Sequence, residues 1–200
     1  MMVNTVTERH QLIKLLAERS VKRGHFILAS GKSSSLYVDA RMTTMSPEGL
    51  ALIGPLAIQA VKNAALKIDA AGGLTLGADP VTYSIAVASY WSPPMIRAFS
   101  VRKDVKEHGT GKLIEGSFQA GDNVLVTEDV ITTGASALRA INAIKGAGGQ
   151  IKAVLALVDR EDGGREAIER EGYPVLCLFS LGEITNLVPA LTENPDSAGA

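Results

Sequence analysis

Across 200 residues the chain sets 20 lysines and arginines against 21 aspartates and glutamates, a formal net charge of −1. That balance excludes the broad basic surface of a duplex nucleic-acid binder. A hydrophobic share of 46% excludes wholesale disorder, while glycine at one residue in ten and aromatics at 4% point to backbone-shaped loops over aromatic stacking platforms.

Apolar residues at helical spacing (Leu12, Ile13, Leu15, Leu16, Val21) predict an amphipathic helix over residues 8–23, ended by Gly24. Two short extended runs follow at 25–29 and 36–39, joined by the turn-rich Ser30-Gly31-Lys32-Ser33-Ser34. They read as a small flap ahead of the main domain. From Pro47 the pattern alternates: helix 47–67, strand 70–76, helix 80–90, strand 95–101. After a polar interruption it resumes with strand 123–127, helix 134–146, strand 151–158, helix 164–171 and strand 175–179. Such alternation with continuous apolar strands predicts an α/β fold, a mostly parallel sheet covered by helices on both faces. The expected division is a hood over 1–45, a core over 46–191 and a disordered tail over 192–200. Ligands of such sheets bind beyond the carboxyl ends of the strands.

The start of the chain lacks a basic region followed by an apolar stretch, and the longest apolar run, 50–58, holds Gly54 and Pro55. Neither a secretory leader nor a membrane span is expected. Cys177, in the apolar run Val175-Leu176-Cys177-Leu178-Phe179, reads as a small buried hydrophobe. A soluble, reducing, cytoplasmic setting follows as the expectation.

The strand Val124-Leu125-Val126-Thr127 runs into Glu128-Asp129 and then Val130-Ile131-Thr132-Thr133-Gly134-Ala135-Ser136. Three hydroxyls and a glycine at a helix start offer side-chain donors, free amides and the positive end of the dipole to a phosphate. The two acids before them suit sugar hydroxyls or a developing cation. The plain alternative has Thr132 or Thr133 capping the helix and the acids solvated. Two adjacent acids at the end of a buried strand repel each other and call for compensation.

The stretch from Arg102 to Lys112 has no periodicity and carries Arg102, Lys103, Lys106, His108 and Lys112 with Gly109 and Gly111. It reads as a loop emerging where ligands bind, hinged at its glycines, with a solvated connection as the alternative. Lysine and arginine in a closed, dry site stabilise the negative charge of a departing diphosphate more strongly than water does.

Residues 124–136 resemble the phosphoribosyl-diphosphate motif of the type I phosphoribosyltransferases. The pattern Arg102-Lys103-x-x-Lys106-x-His108-Gly109 is similar to the catalytic loop of the orotate phosphoribosyltransferases within that group. Phe26 to Asp39 looks like that family's N-terminal hood, with Ser30-Gly31 and Tyr37-x-Asp39 in place, and Arg160 matches its arginine for the substrate carboxylate. The resemblance implies a type I fold and transfer of the phosphoribosyl group of phosphoribosyl diphosphate to orotate, with Mg²⁺ held mainly through donor oxygens and water and by no metal site of protein ligands. It implies that Glu128 and Asp129 hold the ribose hydroxyls, Asp129 counting with Lys106 as catalytic. Val130, Ile131, Thr132, Thr133, Gly134, Ala135 and Ser136 would bind the donor, with Thr132 to Ser136 cradling its 5-phosphate; Lys106 would contact its diphosphate and assist departure, Arg102, Lys103 and His108 would also bind the donor, and Thr132 with Arg160 the orotate. It further implies a homodimer sharing loop 102–112 across its interface, with no nucleic-acid or membrane partner. Two stretches depart from the pattern. Ala29 stands where well-known members carry a lysine, and Gly77-Ala78-Asp79-Pro80-Val81 where some place a Tyr-Lys pair, so those contacts are not implied. A phosphoribosyltransferase for a neutral base and a non-catalytic donor-sensing protein stay open as alternatives, the first opposed by Arg160 and the second by Lys106 with both acids. Gly31-Lys32-Ser33 lacks the upstream glycine of a P-loop, and the three scattered histidines do not make a structural zinc site.

Overall fold

A computed structural model describes residues 5–27, 33–104 and 113–188. The first helix, α1, spans Thr5–Arg19 and is followed at once by strand β1, Val21–Ile27. The helix expected over 8–23 therefore stops four residues early. The Ser20 amide donates to Leu16 O, and Val21, Lys22 and Arg23 pair with Val38, Tyr37 and Leu36 of β2 (Ser33–Val38) in an antiparallel ribbon. Cross-strand partners, with β-branched Val21 buried among them, outweigh the helical spacing that Val21 shares with Leu16. This two-stranded ribbon is the hood.

A one-turn helix, α2 (Arg41–Thr44), leads into α3 (Pro47–Asn63), which starts on a Ser46 cap accepting from the Gly49 amide. This helix also stops short of its expected end. Ala65 adopts a left-handed φ of 52°, and the Leu66 amide donates to Val61 O, turning the chain off the helix. Strand β3 (Ala70–Leu74), α4 (Ala78–Trp91) and β4 (Arg97–Val101) follow. The polar interruption contains β5 (Ile114–Gly116), a three-residue edge strand antiparallel to β4 that is too short to show a pattern in the sequence. The remaining elements are β6 (Asn123–Ile131), α5 (Ala135–Gly146), β7 (Gln150–Asp159), α6 (Gly164–Arg170), β8 (Val175–Ser180) and α7 (Leu181–Thr185). The last helix opens on a reciprocal capping box between Ser180 and Glu183.

The six-stranded sheet has the order β5-β4-β3-β6-β7-β8, parallel except for β5. Side chains alternate between its two faces. Ala71, Leu125, Leu155 and Phe179 pack with α1, α3 and α4, while Ala70, Val124, Val126, Val154 and Val175 pack with α5 and α6. The chain moves outward from β3 to β4 and then returns past β3 to β6, so β3 and β6 flank a topological switch point. Among the described residues, no helix is long and apolar enough to cross a membrane.

Candidate active site

The switch point is widened by unequal pairing. β3 pairs with β6 only from Val124 to Val126, whereas β7 follows β6 as far as Ile131. The strand expected to end at Thr127 thus continues through both acids. Hydrogen bonding to β7 overrides their poor strand propensity and leaves the other edge of β6 open to the cleft.

In this cleft Glu128 and Asp129 line a cavity of about 440 Å³ with Arg41, Leu74, Thr75, Leu76, Gly77, Lys103 and Ser136. Asp129 accepts from the Val130 amide at 2.9 Å. A Cβ at Gly77 would come within 2.5 Å of an Asp129 carboxylate oxygen, so any larger residue there would push the Asp129 side chain out of its present place. Glu128 is buried, and its Oε2 has no hydrogen-bond partner among the described residues. Burial, reinforced by the neighbouring Asp129 charge, pushes the Glu128 carboxyl up to about 8. Burial also raises Asp129, offset in part by the Val130 amide and the Arg41 charge. Arg41 is itself engaged by Asp39 of the hood, through bonds of 2.8 and 3.0 Å. The compensation that the acid pair requires is therefore incomplete within the described chain.

The raised acid has a consequence for stability. Below about pH 4.5, its ordinary value, Glu128 is neutral folded or unfolded. Between there and about 8 the unfolded chain ionises while the folded chain keeps its proton, so stability is lost as pH rises through that window, by an amount on the order of a few kcal/mol. The melting temperature of ligand-free protein is expected to fall between pH 5 and 8, and Glu128→Gln to flatten that fall. Equal slopes in the two proteins would exclude Glu128 as the source.

The phosphate-cup residues form the turn between β6 and α5. Gly134 occupies the helix N-cap position at φ 79°, with no side-chain cap, so neither threonine caps the helix in the ordinary way. Thr133 Oγ1 lies 3.5 Å from the Ala135 amide, and the amides of Gly134, Ser136 and Ala137 have no acceptor among the described residues. Free amides at the positive end of a helix are suited to an anion. Ser136 faces the acid cavity, whereas Thr132, Thr133 and Ala135 belong to the adjoining turn.

Arg160 is brought to the same place by the backbone: its amide donates to Ile131 O at 3.0 Å, setting it beside Thr132. Its side chain is 13% exposed. Nε lies 3.2 Å from Asp162 Oδ2 but is aligned too poorly for a hydrogen bond, and its terminal nitrogens donate to no group among the described residues. Gly164 closes the arrangement, since its carbonyl oxygen would lie 2.7 Å from a Cβ at Gly134.

Of the basic loop, Lys103 lines the acid cavity, and its carbonyl accepts from Arg139 of α5 at 2.8 Å. Arg102 lies elsewhere, in a neighbouring cavity of about 400 Å³ with Glu115, to which it is paired at 3.5 Å. Lys106, His108, Gly109 and the hood's Ala29, Ser30 and Gly31 fall outside the described residues, as does the tail 192–200. At the departing stretch, Asp79 accepts from Ser100 Oγ at 2.7 Å, and Ser100 in turn meets the Tyr83 hydroxyl. Arg41 lines the cavity although no motif in the sequence marks it; it lies two residues beyond Tyr37-x-Asp39. Cys177 is partly buried, and burial pushes its thiol up to about 12, so it is not a nucleophile poised for reaction. No group of three or more histidine, cysteine, aspartate or glutamate side chains able to hold a metal occurs among the described residues.

No protein-family model matches the chain. Individual proteins do. The chain is 47% identical over 180 residues to the orotate phosphoribosyltransferase of Aquifex aeolicus, covering 88% of this chain and 97% of that one. The crystal structure of Mycobacterium tuberculosis orotate phosphoribosyltransferase in complex with Fe(III) dicitrate superposes with a TM-score of 0.79 at 42% identity, covering 88% of this chain and 98% of that one. A structure of the same enzyme in complex with 5-phospho-alpha-D-ribosyl 1-diphosphate gives a TM-score of 0.76 at 39% identity, with 89% and 99% covered. The acid pair at the switch point, the turn from Thr132 to Ser136 and Arg160 thus sit on a framework shared with these enzymes over nearly their whole length, and the chain belongs to the orotate phosphoribosyltransferases.

Proposed function

We propose that this chain, working in pyrimidine biosynthesis, transfers the phosphoribosyl group of phosphoribosyl diphosphate to orotate, releasing diphosphate and orotidine 5-monophosphate. The observation that carries this reading is the buried oxygen of Glu128, without a partner among the described residues, beside Asp129 in a cleft whose neighbouring turn has amides with no acceptor among those residues. Hydroxyls of the donor ribose supply the hydrogen bonds that the acids lack, and the turn from Thr132 to Ser136 receives the 5-phosphate. As the bond from ribose C1 to the diphosphate loosens, the two acids, their charged forms favoured by the bound donor, face a ring gaining positive charge. Arg102, Lys103, Lys106 and His108 receive the diphosphate, and Lys106 meets the charge developing on the leaving oxygen.

The acids are hard oxygen groups, one with an oxygen that has no partner among the described residues, and this chemistry fits a divalent cation nearby. Mg²⁺, held chiefly by donor oxygens and water, would neutralise diphosphate charge. Thr132 and Arg160 hold orotate, whose carboxylate matches the planar guanidinium. That places the acceptor nitrogen beneath C1 and supplies the proximity contribution. The working form in this reading is a cytoplasmic homodimer in which loop 102–112 completes the partner's site. The exposed apolar stripe of Tyr83, Val87, Tyr90 and Trp91 on α4 supports a covering protein surface.

The test is the loss of orotate absorbance in a mixture of protein, Mg²⁺, donor and orotate, each omitted in turn. Activity is expected only in the complete mixture, and Arg160→Ala is expected to raise the KM for orotate by about tenfold or more, the worth of a charged hydrogen-bonded pair. Equal use of uracil and orotate would favour the neutral-base reading. Absence of diphosphate release with any common base would favour a donor-sensing protein.

A further inference from the structure

The residue after Arg160 has a backbone that glutamate rarely adopts. Glu161 lies at φ 61°, in the left-handed region that favours glycine. Two contacts hold it there. Its amide donates to Asp159 Oδ1 at 2.8 Å, and its own Oε2 accepts from the Gly182 amide at 2.9 Å, at the start of α7 and 21 residues along the chain. A left-handed residue tied at both backbone and side chain is a conformation over-determined by its surroundings, and such residues cluster where geometry serves a site.

What this turn presents is Arg160. Its amide is fixed on Ile131 O, its Nε sits obliquely 3.2 Å from Asp162 Oδ2, and its terminal nitrogens are left without partners among the described residues. Asp162 is only two residues away and half exposed, so a modest change in the turn lets its carboxylate take the guanidinium fork face-on. A substrate carboxylate would then compete with an internal one.

We infer that Glu161 is a positioning residue for the acceptor: by tying turn 159–162 to the start of α7, it confines Asp162 to the oblique ion pair it makes at Arg160 Nε and leaves the terminal nitrogens open to the substrate carboxylate. The inference rests on Arg160 being the acceptor's arginine, as proposed above. It is read from steady-state kinetics with orotate and donor varied separately in Arg160→Ala, Glu161→Gly, Glu161→Ala and Glu161→Gln. Glu161→Gly keeps the left-handed backbone accessible while removing the tie, so it guards against a simple folding defect.

Glu161→Gly and Glu161→Ala are expected to raise the KM for orotate by about tenfold with the KM for donor unchanged, the scale of one charge-assisted hydrogen bond. Glu161→Gln, whose amide oxygen still accepts from Gly182, is expected to stay near wild type. Adding Asp162→Asn to Glu161→Gly is expected to restore much of the lost affinity by removing the competing carboxylate, a rescue that general loosening of the turn would not produce. If Arg160→Ala raises the KM for orotate while Glu161→Gly does not, or if Asp162→Asn fails to rescue, the positioning role is overturned and Arg160 keeps its part. If Arg160→Ala leaves that KM unchanged, the reading of Arg160 falls and the inference with it.

Discussion

Alanine at Lys106 is expected to lower the turnover number by about a hundredfold or more, the usual cost of removing one group that stabilises charge only in the transition state. The leaving diphosphate gains charge as the bond to C1 breaks, and an ammonium is worth most at that moment, so turnover suffers more than donor affinity. An unchanged turnover number removes Lys106 from the mechanism. The same variant tests the shared loop. Mixed with Asp129→Asn, inactive for a different reason, it is expected to regain about a quarter of wild-type activity after subunit exchange, because half of the random dimers then carry one site with both groups intact. No recovery would mean that Lys106 serves its own subunit.

Gly134→Ala is expected to damage both stability and donor binding. Two costs coincide there: a side chain at φ 79°, and a Cβ only 2.7 Å from the Gly164 carbonyl oxygen. The left-handed backbone alone costs about 1–2 kcal/mol, and the collision with backbone adds to it. A loss of about 2 kcal/mol or more lowers the melting temperature of a chain this size by about 4–8 °C. The turn must shift to survive, so the KM for donor is expected to rise by tenfold or more, on the order of 1.4 kcal/mol. Gly163→Ala is the natural comparison, since φ there is 87° with nothing within 4 Å of the added Cβ. It reads the backbone cost alone. A Gly134→Ala protein no less stable than Gly163→Ala would dismiss the collision.

Much of this molecule was legible where local chemistry and tertiary context agree. The core strands are continuous apolar runs because both faces are covered, and the helices of the core were placed to within a few residues of their ends. Errors fell where context overrides local pattern. Val21 continues the spacing of Leu12 and Leu16 but belongs to a strand, because Val38 lies opposite it. Glu128 and Asp129 look like a strand's end, yet β7 carries the strand through them. β5 is three residues long and owes its existence to β4. The short α7 was within reach, for Ser180-Leu181-Gly182-Glu183 spells out its capping box. At the cleft, residue types point to the acid pair, to the turn after it and to Arg160, and the fold brings the turn and Arg160 together through Ile131. Arg41 and Glu161 did not announce themselves, because their parts depend on partners brought near only by folding, Asp39 and the cavity for one and Gly182 for the other.

The hydrogen bond from Arg160 to Ile131 and the close approach of Gly164 to Gly134 join the loop after β7 to the turn after β6, the two segments proposed to take the acceptor and the donor. Neither can slide without carrying the other. On the proposed reading, the separation between the 5-phosphate of the donor and the carboxylate of the acceptor would be set like the jaws of a fixed gauge, so that a base of the wrong length or lacking its anchoring group would be rejected by dimension before any chemistry begins.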